Sequence, residues 1–128
     1  MNHKVRILVA EDDHLQCVMM CRILRAAGFV PDACADGSKA LTTLVPRRYG
    51  AVILDYHMPC LSGLEVARIL RGRGDPVPVV IVSGSGGPDA DDSFVELPGV
   101  RWMEKPFEIR EFLKFVDSAW ASPTVRSP

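Results

Sequence analysis

Polar residues stand directly after apolar, β-rich stretches of the sequence, and together they could bind a phosphoryl group and a divalent cation. Glu11 and Asp12 follow the first such stretch, and Asp55 follows the third. Ser83 follows the fourth, and Lys105 comes shortly after the fifth. Adjacent carboxylates repel one another unless a cation binds them. Mg²⁺ suits such a set, because it prefers oxygen ligands in octahedral geometry and retains several waters.

These residue types favour one kind of chemistry, the transfer of a phosphoryl group to a carboxylate. The Asp55 carboxylate can attack phosphorus and become an acyl phosphate. The Lys105 ammonium is a compact positive charge for a phosphoryl oxygen, and the Ser83 hydroxyl can donate to another. Mg²⁺ and Lys105 would stabilise the charge on the transferring group. These residues can act together only if the strands and helices of the fold bring them to one place.

Strand and helix signals alternate along the chain and predict an α/β fold. The predicted strands cover residues 5–10, 29–35, 51–54, 77–82 and 100–103, and the predicted helices cover residues 15–27, 38–45, 62–71, 88–97 and 107–120. We expect a flavodoxin-like (βα)5 three-layer sandwich with a parallel five-stranded sheet in the order 2-1-3-4-5. The carboxyl ends of parallel strands lie at one edge of a sheet, so the polar residues should converge there.

Helix-start and helix-face signals refine this scheme. Ser38 and Ser62 are predicted caps, and Gly28 is a predicted helix stop. On the first helix, Leu15 and Val18 are predicted to face outward. The predicted core stripe of that helix comprises Gln16, Met20, Ile23, Leu24 and Ala27. The glycines and acids of residues 84–92 predict a short, mobile helix after the fourth strand.

Composition limits the classes of function. The 128 residues are 48% hydrophobic and 24% charged, and predict one domain over residues 1–120 with a polar tail over 121–128. A net charge of −1 argues against a nucleic-acid or anionic-membrane surface. We find neither a membrane-length apolar run nor a signal peptide, and therefore expect a cytoplasmic location. The four cysteines lack zinc-site spacing and are predicted to be reduced thiols that act as small hydrophobes.

The sequence resembles the receiver domains of two-component response regulators over roughly residues 4–120. The stretches that carry the resemblance are residues 7–13 (ILVAEDD), 53–59 (ILDYHMP), 62–65 (SGLE), 80–84 (VIVSG) and 103–107 (MEKPF). One aspartate or one Lys-Pro pair would mean little. Five such stretches in order form a specific pattern.

The resemblance implies a role for each candidate residue. Asp55 would be the phosphoacceptor, with a histidine kinase or a histidine phosphotransfer protein as the donor. Asp12 would bind Mg²⁺ directly and Glu11 through water, and the backbone carbonyl of His57 would complete the metal set with Asp55. In this family the hydroxyl and the lysine, here Ser83 and Lys105, bind the phosphoryl group.

The resemblance also implies a switch. The small Gly84 would leave room for the phosphoryl donor, and Lys105-Pro106 would be a cis peptide. Phosphorylation would draw in Ser83 and let Trp102 turn inward. This would change the surface of the predicted helix 88–97, the fifth strand and the last helix for a downstream protein partner. Such a domain phosphorylates and dephosphorylates itself slowly and is not a conventional enzyme. A second copy of the chain, in a weak homodimer, is a further partner that the sequence leaves open.

Two alternatives remain open at this point. A phosphatase of the haloacid dehalogenase type also uses an aspartate nucleophile, a hydroxyl and a lysine. It requires Asp-x-Asp, whereas His57 stands two residues after Asp55. A degenerate receiver that binds partners without phosphorylation usually loses an acid, the hydroxyl or the lysine, and none is missing here. The large Trp102 and the glycine-rich segment keep this second alternative open.

Overall fold

The computed structural model describes residues 5–44, 48–84, 97–106 and 108–121. Five short strands form one parallel sheet in the order β2-β1-β3-β4-β5. The strands are β1 (Arg6–Ala10), β2 (Val30–Cys34), β3 (Ala51–Asp55), β4 (Val79–Ser83) and β5 (Val100–Glu104). The predicted sheet and its strand order are confirmed.

Helices cover both faces of the sheet. They are α1 (His14–Ala26), α2 (Gly37–Thr43), α3 (Gly63–Gly72) and α4 (Ile109–Ala121). Side chains alternate along each strand, so Leu8 and Leu54 pack in the apolar cluster that includes residues of α2 and α3. Ile7 and Ile53 point the other way, into the cluster that contains residues of α1 and α4. This is the predicted three-layer, flavodoxin-like arrangement.

The predicted helix over residues 88–97 lies, except for Leu97, outside the described residues. The same holds for the glycine-rich segment from residue 85 onward and for residues 122–128 of the predicted tail. Within the described ranges, the helices are too short or too polar to cross a membrane.

The helix caps agree with the sequence at α3 and differ at α2. Ser62 and Glu65 form a capping box, in which each side chain accepts a hydrogen bond from the backbone N–H of the other residue. The predicted cap Ser38 is wrong, because Asp36 caps α2 and its carboxylate accepts a hydrogen bond from the backbone N–H of Lys39. Gly28 follows α1 with a φ of 97°, a conformation that suits a glycine helix stop.

The buried face of α1 differs from the predicted stripe. Met20 and Leu24 are buried as predicted, whereas Gln16, Ile23 and Ala27 are exposed. The other buried residues of this helix are Cys17 and Cys21. These two thiols act as small hydrophobes, and burial raises the pKa of Cys17 to about 11. Cys60 is also a free thiol, but it is exposed, so the prediction that it acts as a small hydrophobe is wrong there.

Arg71, near the end of α3, fixes the loops that lead into β4 and β5. Its half-buried guanidinium donates hydrogen bonds to the carbonyls of Asp75 and Val77, which precede β4. It also donates to the carbonyls of Pro98 and Gly99, which precede β5. β4 ends at Ser83, and β5 ends just before Lys105. The Arg71 side chain therefore holds the starts of both strands in place.

Candidate functional site

The predicted site residues lie at one edge of the sheet, at or just beyond the ends of the strands. Asp55 is the last residue of β3 and Ser83 the last residue of β4. Glu11 follows β1, and its backbone N–H donates to the carbonyl of Cys34 at 3.1 Å. Lys105 follows β5, and its backbone N–H donates to the carbonyl of Ser83 at 2.8 Å. Backbone hydrogen bonds between strands thus hold both flanking residues in place.

Three carboxylates form a compact acidic cluster at this edge. One carboxylate oxygen from each of Glu11, Asp12 and Asp55 lies within 4.8 Å of the others. The side chains of Glu11 and Asp55 are buried, with 4% and 5% of the residue exposed, whereas Asp12 is exposed. Mg²⁺ binds carboxylate oxygens and retains waters, so a cluster that is buried on one side and open on the other fits this ion.

Lys105 is the cation nearest to this cluster among the described residues. Its ammonium nitrogen lies 3.0 Å from Glu11 Oε1 and 3.2 Å from Asp55 Oδ1. Burial alone would lower the pKa of Lys105, but its hydrogen bond to Glu11 and the charge of Asp55 outweigh burial and raise that pKa. Lys105 therefore stays charged at neutral pH and partly neutralises the two buried carboxylates.

Glu11 is held at both of its carboxylate oxygens. Oε1 accepts from Lys105, and Oε2 accepts from the backbone N–H of Asp13 at 3.1 Å. Burial raises the pKa of Glu11, and these two hydrogen bonds oppose the rise. The carboxylate is consequently fixed in orientation, with its charge partly balanced by Lys105.

Ser83 and Gly84 are adjacent in the sequence but differ sharply in exposure. Ser83 is only 2% exposed, and β4 lies beside β3, so the hydroxyl belongs to the strand next to Asp55. Gly84 is exposed, and a Cβ atom added to it would meet no described atom within 4 Å. The described residues therefore leave open space beside Ser83 at this point.

Aromatic side chains connect the end of β3 with β5. Tyr56 follows Asp55, and its ring centroid lies 5.1 Å from that of Trp102 at a tilt of 42°. Trp102 is half-buried and packs against the cluster on the α2 and α3 face. The exposed His57 sets its ring edge-on to Tyr56, with the centroids 4.7 Å apart. The role predicted for the His57 backbone carbonyl stays a prediction.

Gly63 allows α3 to begin directly against the end of β3. Its backbone N–H donates to the carbonyl of Tyr56 at 3.0 Å. A Cβ atom at this position would lie 2.8 Å from the carbonyl oxygen of Asp55 and 3.3 Å from Ile81 Cγ2. The absence of a side chain at Gly63 therefore permits the backbone contact that positions Asp55.

Two residues of this site, Gln16 and Tyr56, are not predicted as site residues from the sequence. Gln16 was assigned to the core stripe, yet its side chain accepts a hydrogen bond from Lys105 Nζ at 2.6 Å. One sequence feature could have indicated this role: Gln16 is a polar residue within an apolar stripe and lies one turn after the two acids. Tyr56 had a signal as well, because it is a large aromatic directly after Asp55. The peptide between Lys105 and Pro106 is cis, as the resemblance implied.

Comparisons with known proteins agree with this geometry. The family model described as the response regulator receiver domain matches residues 7–117. The response regulator MprA of Mycobacterium tuberculosis is 34% identical over 109 residues, which are 85% of this chain and 47% of MprA. The chain thus spans about half the length of the curated relatives it matches.

Two solved structures are also similar. The response regulator TrrA of Thermotoga maritima, solved in complex with Mg²⁺-BeF, is 26% identical with a TM-score of 0.76. The match covers 90% of this chain and 98% of TrrA. A sensor protein from Polaromonas sp. JS666 is 27% identical with a TM-score of 0.79, and the match covers 91% of this chain and 96% of that one.

Proposed function

This chain belongs to the response regulator receiver domains, a family of signalling modules in phosphorylation-based two-component systems, and we propose that it accepts a phosphoryl group on Asp55 with Mg²⁺ bound beside it. The observation that carries the proposal is the position of the Lys105 ammonium, 3.2 Å from Asp55 Oδ1. The adjoining cluster with Glu11 and Asp12 supplies the oxygen ligands for the ion. A receiver domain of this kind is a relay rather than a conventional enzyme.

The transfer step follows from these positions. A carboxylate oxygen of Asp55 forms a bond to phosphorus while the phosphorus–nitrogen bond of a donor phosphohistidine breaks. The electron pair of that bond returns to the imidazole of the donor. Lys105 donates to a phosphoryl oxygen, and Ser83 donates to another, so both residues stabilise the charge in the transition state. Slow hydrolysis of the acyl phosphate would return the domain to its resting state.

Glu11, Asp12, Asp55 and the backbone carbonyl of His57 are the residues that would hold the Mg²⁺. The ion, when bound, supplies positive charge to the transferring group and orients it. Asp12 is the exposed member of the acidic cluster, so it can bind the ion directly from the solvent side. Glu11 is already held by Lys105 and Asp13, which leaves it suited to act through a bound water.

Intact-protein mass tests the proposal. After incubation with Mg²⁺ and acetyl phosphate, the wild-type protein should gain one phosphoryl group, and chelation of the metal should prevent the gain. Asp55→Asn keeps the size of the side chain but removes the nucleophilic carboxylate, so that variant should gain nothing. A wild-type protein that stays unmodified while Mg²⁺ binds it would favour the module that acts without phosphorylation.

We further propose that phosphorylation changes the contact between Trp102 and Tyr56. The phosphoryl group would draw the Ser83 hydroxyl toward it and give the Trp102 ring room to turn inward. Tyr56 supports this coupling, because it directly follows Asp55 in the sequence and its ring contacts the ring of Trp102. The surface around β5 and α4 would then differ between the two states for a downstream protein partner.

Tryptophan emission reports on this switch. Trp102 and Trp120 are the two tryptophans of the chain, so Trp120→Phe leaves Trp102 as the sole emitter. In that background we expect the emission to move to shorter wavelength on phosphorylation, because the ring becomes more buried. The same change should be absent in the variant that also carries Asp55→Asn. Unchanged emission in fully phosphorylated protein would mean that Trp102 is fixed.

The exposed apolar face of α1 is the proposed docking surface for the phosphohistidine-bearing donor. We call this face the α1 patch, and it consists of Leu15, Val18, Met19 and Ile23, which are 67%, 38%, 55% and 43% exposed. Gln16 on the same helix contacts Lys105, so the α1 patch borders the phosphorylation site. A histidine kinase or a phosphotransfer protein seated there would present its phosphohistidine to Asp55.

Leu15→Asp should separate protein donors from small donors. We expect phosphotransfer from a protein donor to slow by about tenfold or more, because a buried leucine contact is lost at the interface. Phosphorylation by acetyl phosphate should be unchanged. An aspartate in the first turn of α1 is compatible with the helix dipole, so the fold should persist.

A matched control lies on another helix. Ile69 on α3 is also an exposed apolar residue, at 37%, and Ile69→Asp should leave both donors unaffected. Equal slowing of transfer from the protein donor by both substitutions would contradict docking on the α1 patch.

A cytoplasmic location is part of this proposal, because receiver domains generally work there.

A further inference from the structure

The Lys105 ammonium contacts three side-chain oxygens in this structure, through two hydrogen bonds and one ion pair. The ammonium nitrogen lies 3.0 Å from Glu11 Oε1, 3.2 Å from Asp55 Oδ1 and 2.6 Å from Gln16 Oε1. A lysine ammonium has three hydrogens and accepts nothing. A phosphoryl oxygen that comes to Lys105 therefore competes with these acceptors.

Gln16 is well placed to hold the lysine. It occupies the first turn of α1, where the carboxylate of Asp13 accepts a hydrogen bond from its backbone N–H at 3.0 Å. The capped helix end therefore fixes the Gln16 backbone, and the side chain extends from it to Lys105. This hydrogen bond joins residues 89 positions apart and links α1 to the end of β5.

We propose that Gln16 is a positioning residue that holds Lys105 in the resting protein and gives it up to the phosphoryl group. This inference rests on the proposed phosphorylation of Asp55. Of the three acceptors, Glu11 keeps its negative charge, and Asp55 carries the phosphoryl group and so keeps Lys105 beside it. The Gln16 amide is neutral and is the contact that the lysine gives up when it turns to a phosphoryl oxygen. The Lys105–Gln16 hydrogen bond is charged on the donor side only, whereas a phosphoryl oxygen also carries negative charge, so the phosphoryl oxygen displaces Gln16.

Release of Gln16 has an energetic consequence. The Lys105–Gln16 hydrogen bond stabilises the resting state and is absent from the phosphorylated state. It therefore lowers the affinity of the site for a phosphoryl group by the net worth of one exposed hydrogen bond. Substitutions that remove this bond should tighten the binding of a phosphoryl mimic, although they remove a native contact.

Three substitutions at Gln16 test separately the length of the side chain, its acceptor oxygen and its charge. Gln16→Met keeps the length but has no amide oxygen, and Gln16→Asn keeps the amide but is one methylene shorter. Both should bind beryllofluoride about two- to tenfold more tightly than wild type at saturating Mg²⁺, as expected for the loss of one hydrogen bond. Gln16→Glu places a competing carboxylate beside the lysine and should bind beryllofluoride more weakly.

A direct readout of release is also available. Gln16 is the single glutamine of the sequence, so glutamine-selective isotope labelling gives one side-chain amide signal in the NMR spectrum. That signal should shift when beryllofluoride and Mg²⁺ are added to the wild-type protein. A signal that stays in place while the mimic binds would overturn the proposed release.

The outcomes distinguish this inference from the function on which it rests. If wild type binds beryllofluoride and the Met and Asn variants bind it equally or more weakly, only the role of Gln16 is overturned. If folded wild-type protein binds Mg²⁺ but no beryllofluoride, the proposed phosphorylation falls together with the role of Gln16. Urea unfolding of each variant verifies that the compared proteins are folded.

Discussion

Replacing Lys105 with methionine is expected to slow phosphorylation of Asp55 by acetyl phosphate by a factor of about 10²–10³, the usual cost of removing one donor to a transition-state charge. Methionine keeps much of the length of the lysine side chain and removes its ammonium. The Lys105 ammonium is the cation that contacts both Glu11 and Asp55 among the described residues. The rate is measured from intact-protein mass against time at saturating Mg²⁺.

The same substitution should act in the opposite direction on the metal. The Lys105 ammonium binds the carboxylates that would also hold Mg²⁺, so the two cations compete for Glu11 and Asp55. Removal of the ammonium should therefore increase the affinity of the resting protein for Mg²⁺. Lower affinity together with a normal phosphorylation rate would contradict the roles assigned to Lys105.

Lys39→Met is the matched control for the lost charge. Lys39 is an exposed lysine on α2, so this variant carries the same net charge as Lys105→Met without altering the acidic cluster. We expect its phosphorylation rate and its Mg²⁺ affinity to equal those of wild type. Equal slowing by both substitutions would indicate a general effect of net charge rather than a contact with the phosphoryl group.

Gly63→Ala is expected to lower the free energy of unfolding by about 1–3 kcal/mol, the usual cost of overpacking a well-packed interior. The added Cβ atom would lie 2.8 Å from the carbonyl oxygen of Asp55, and backbone cannot move aside as a flexible side chain can. Relief of the clash requires α3 or the end of β3 to shift. Phosphorylation should therefore slow as well, because Asp55 moves relative to Lys105.

The control for Gly63 lies at the other end of the same helix. A Cβ atom on Gly72 would meet no described atom within 4 Å. Gly72→Ala should raise the free energy of unfolding by about 0.4–1 kcal/mol, because alanine restricts the unfolded chain. Urea unfolding measures both variants, and equal stability of the two would contradict the close contact between Gly63 and Asp55.

The sheet could be predicted because its strands are short, continuous apolar runs. Both faces of a parallel sheet are covered, so every position of β3 and β4 is buried, and the sequence carries this directly. The convergence of the polar residues followed from the same reasoning, because parallel strands end at one edge. The boundaries differed by one to two residues, as expected for strand and helix ends.

The face of α1 could not be chosen from periodicity. The helix carries apolar residues on its packed side, such as Met20 and Leu24, and also on the α1 patch. A helical pattern with two apolar faces does not say which face meets the sheet. Gln16 was consequently placed in the core, and its contact with Lys105 depends on a residue 89 positions away that no local pattern reveals.

The cap of α2 shows a similar limit at a smaller scale. Asp36 and Ser38 are both residues that can cap a helix, and they stand two positions apart. The local backbone decides between them, because Asp36 has the extended conformation of a cap and Ser38 already lies within the helix. Two candidates so close together leave the start of a helix undetermined until the backbone is known.

Chemical trapping of the phosphorylated residue tests the central claim most directly. Borohydride reduces an acyl phosphate to an alcohol, and peptide mass mapping then identifies the marked residue. After phosphorylation of the wild-type protein with Mg²⁺ and acetyl phosphate, the mark should lie on Asp55 alone. A mark on Asp12 or another acid, or a phosphorylated protein that acquires no mark, would contradict the assignment of Asp55 as the phosphoacceptor.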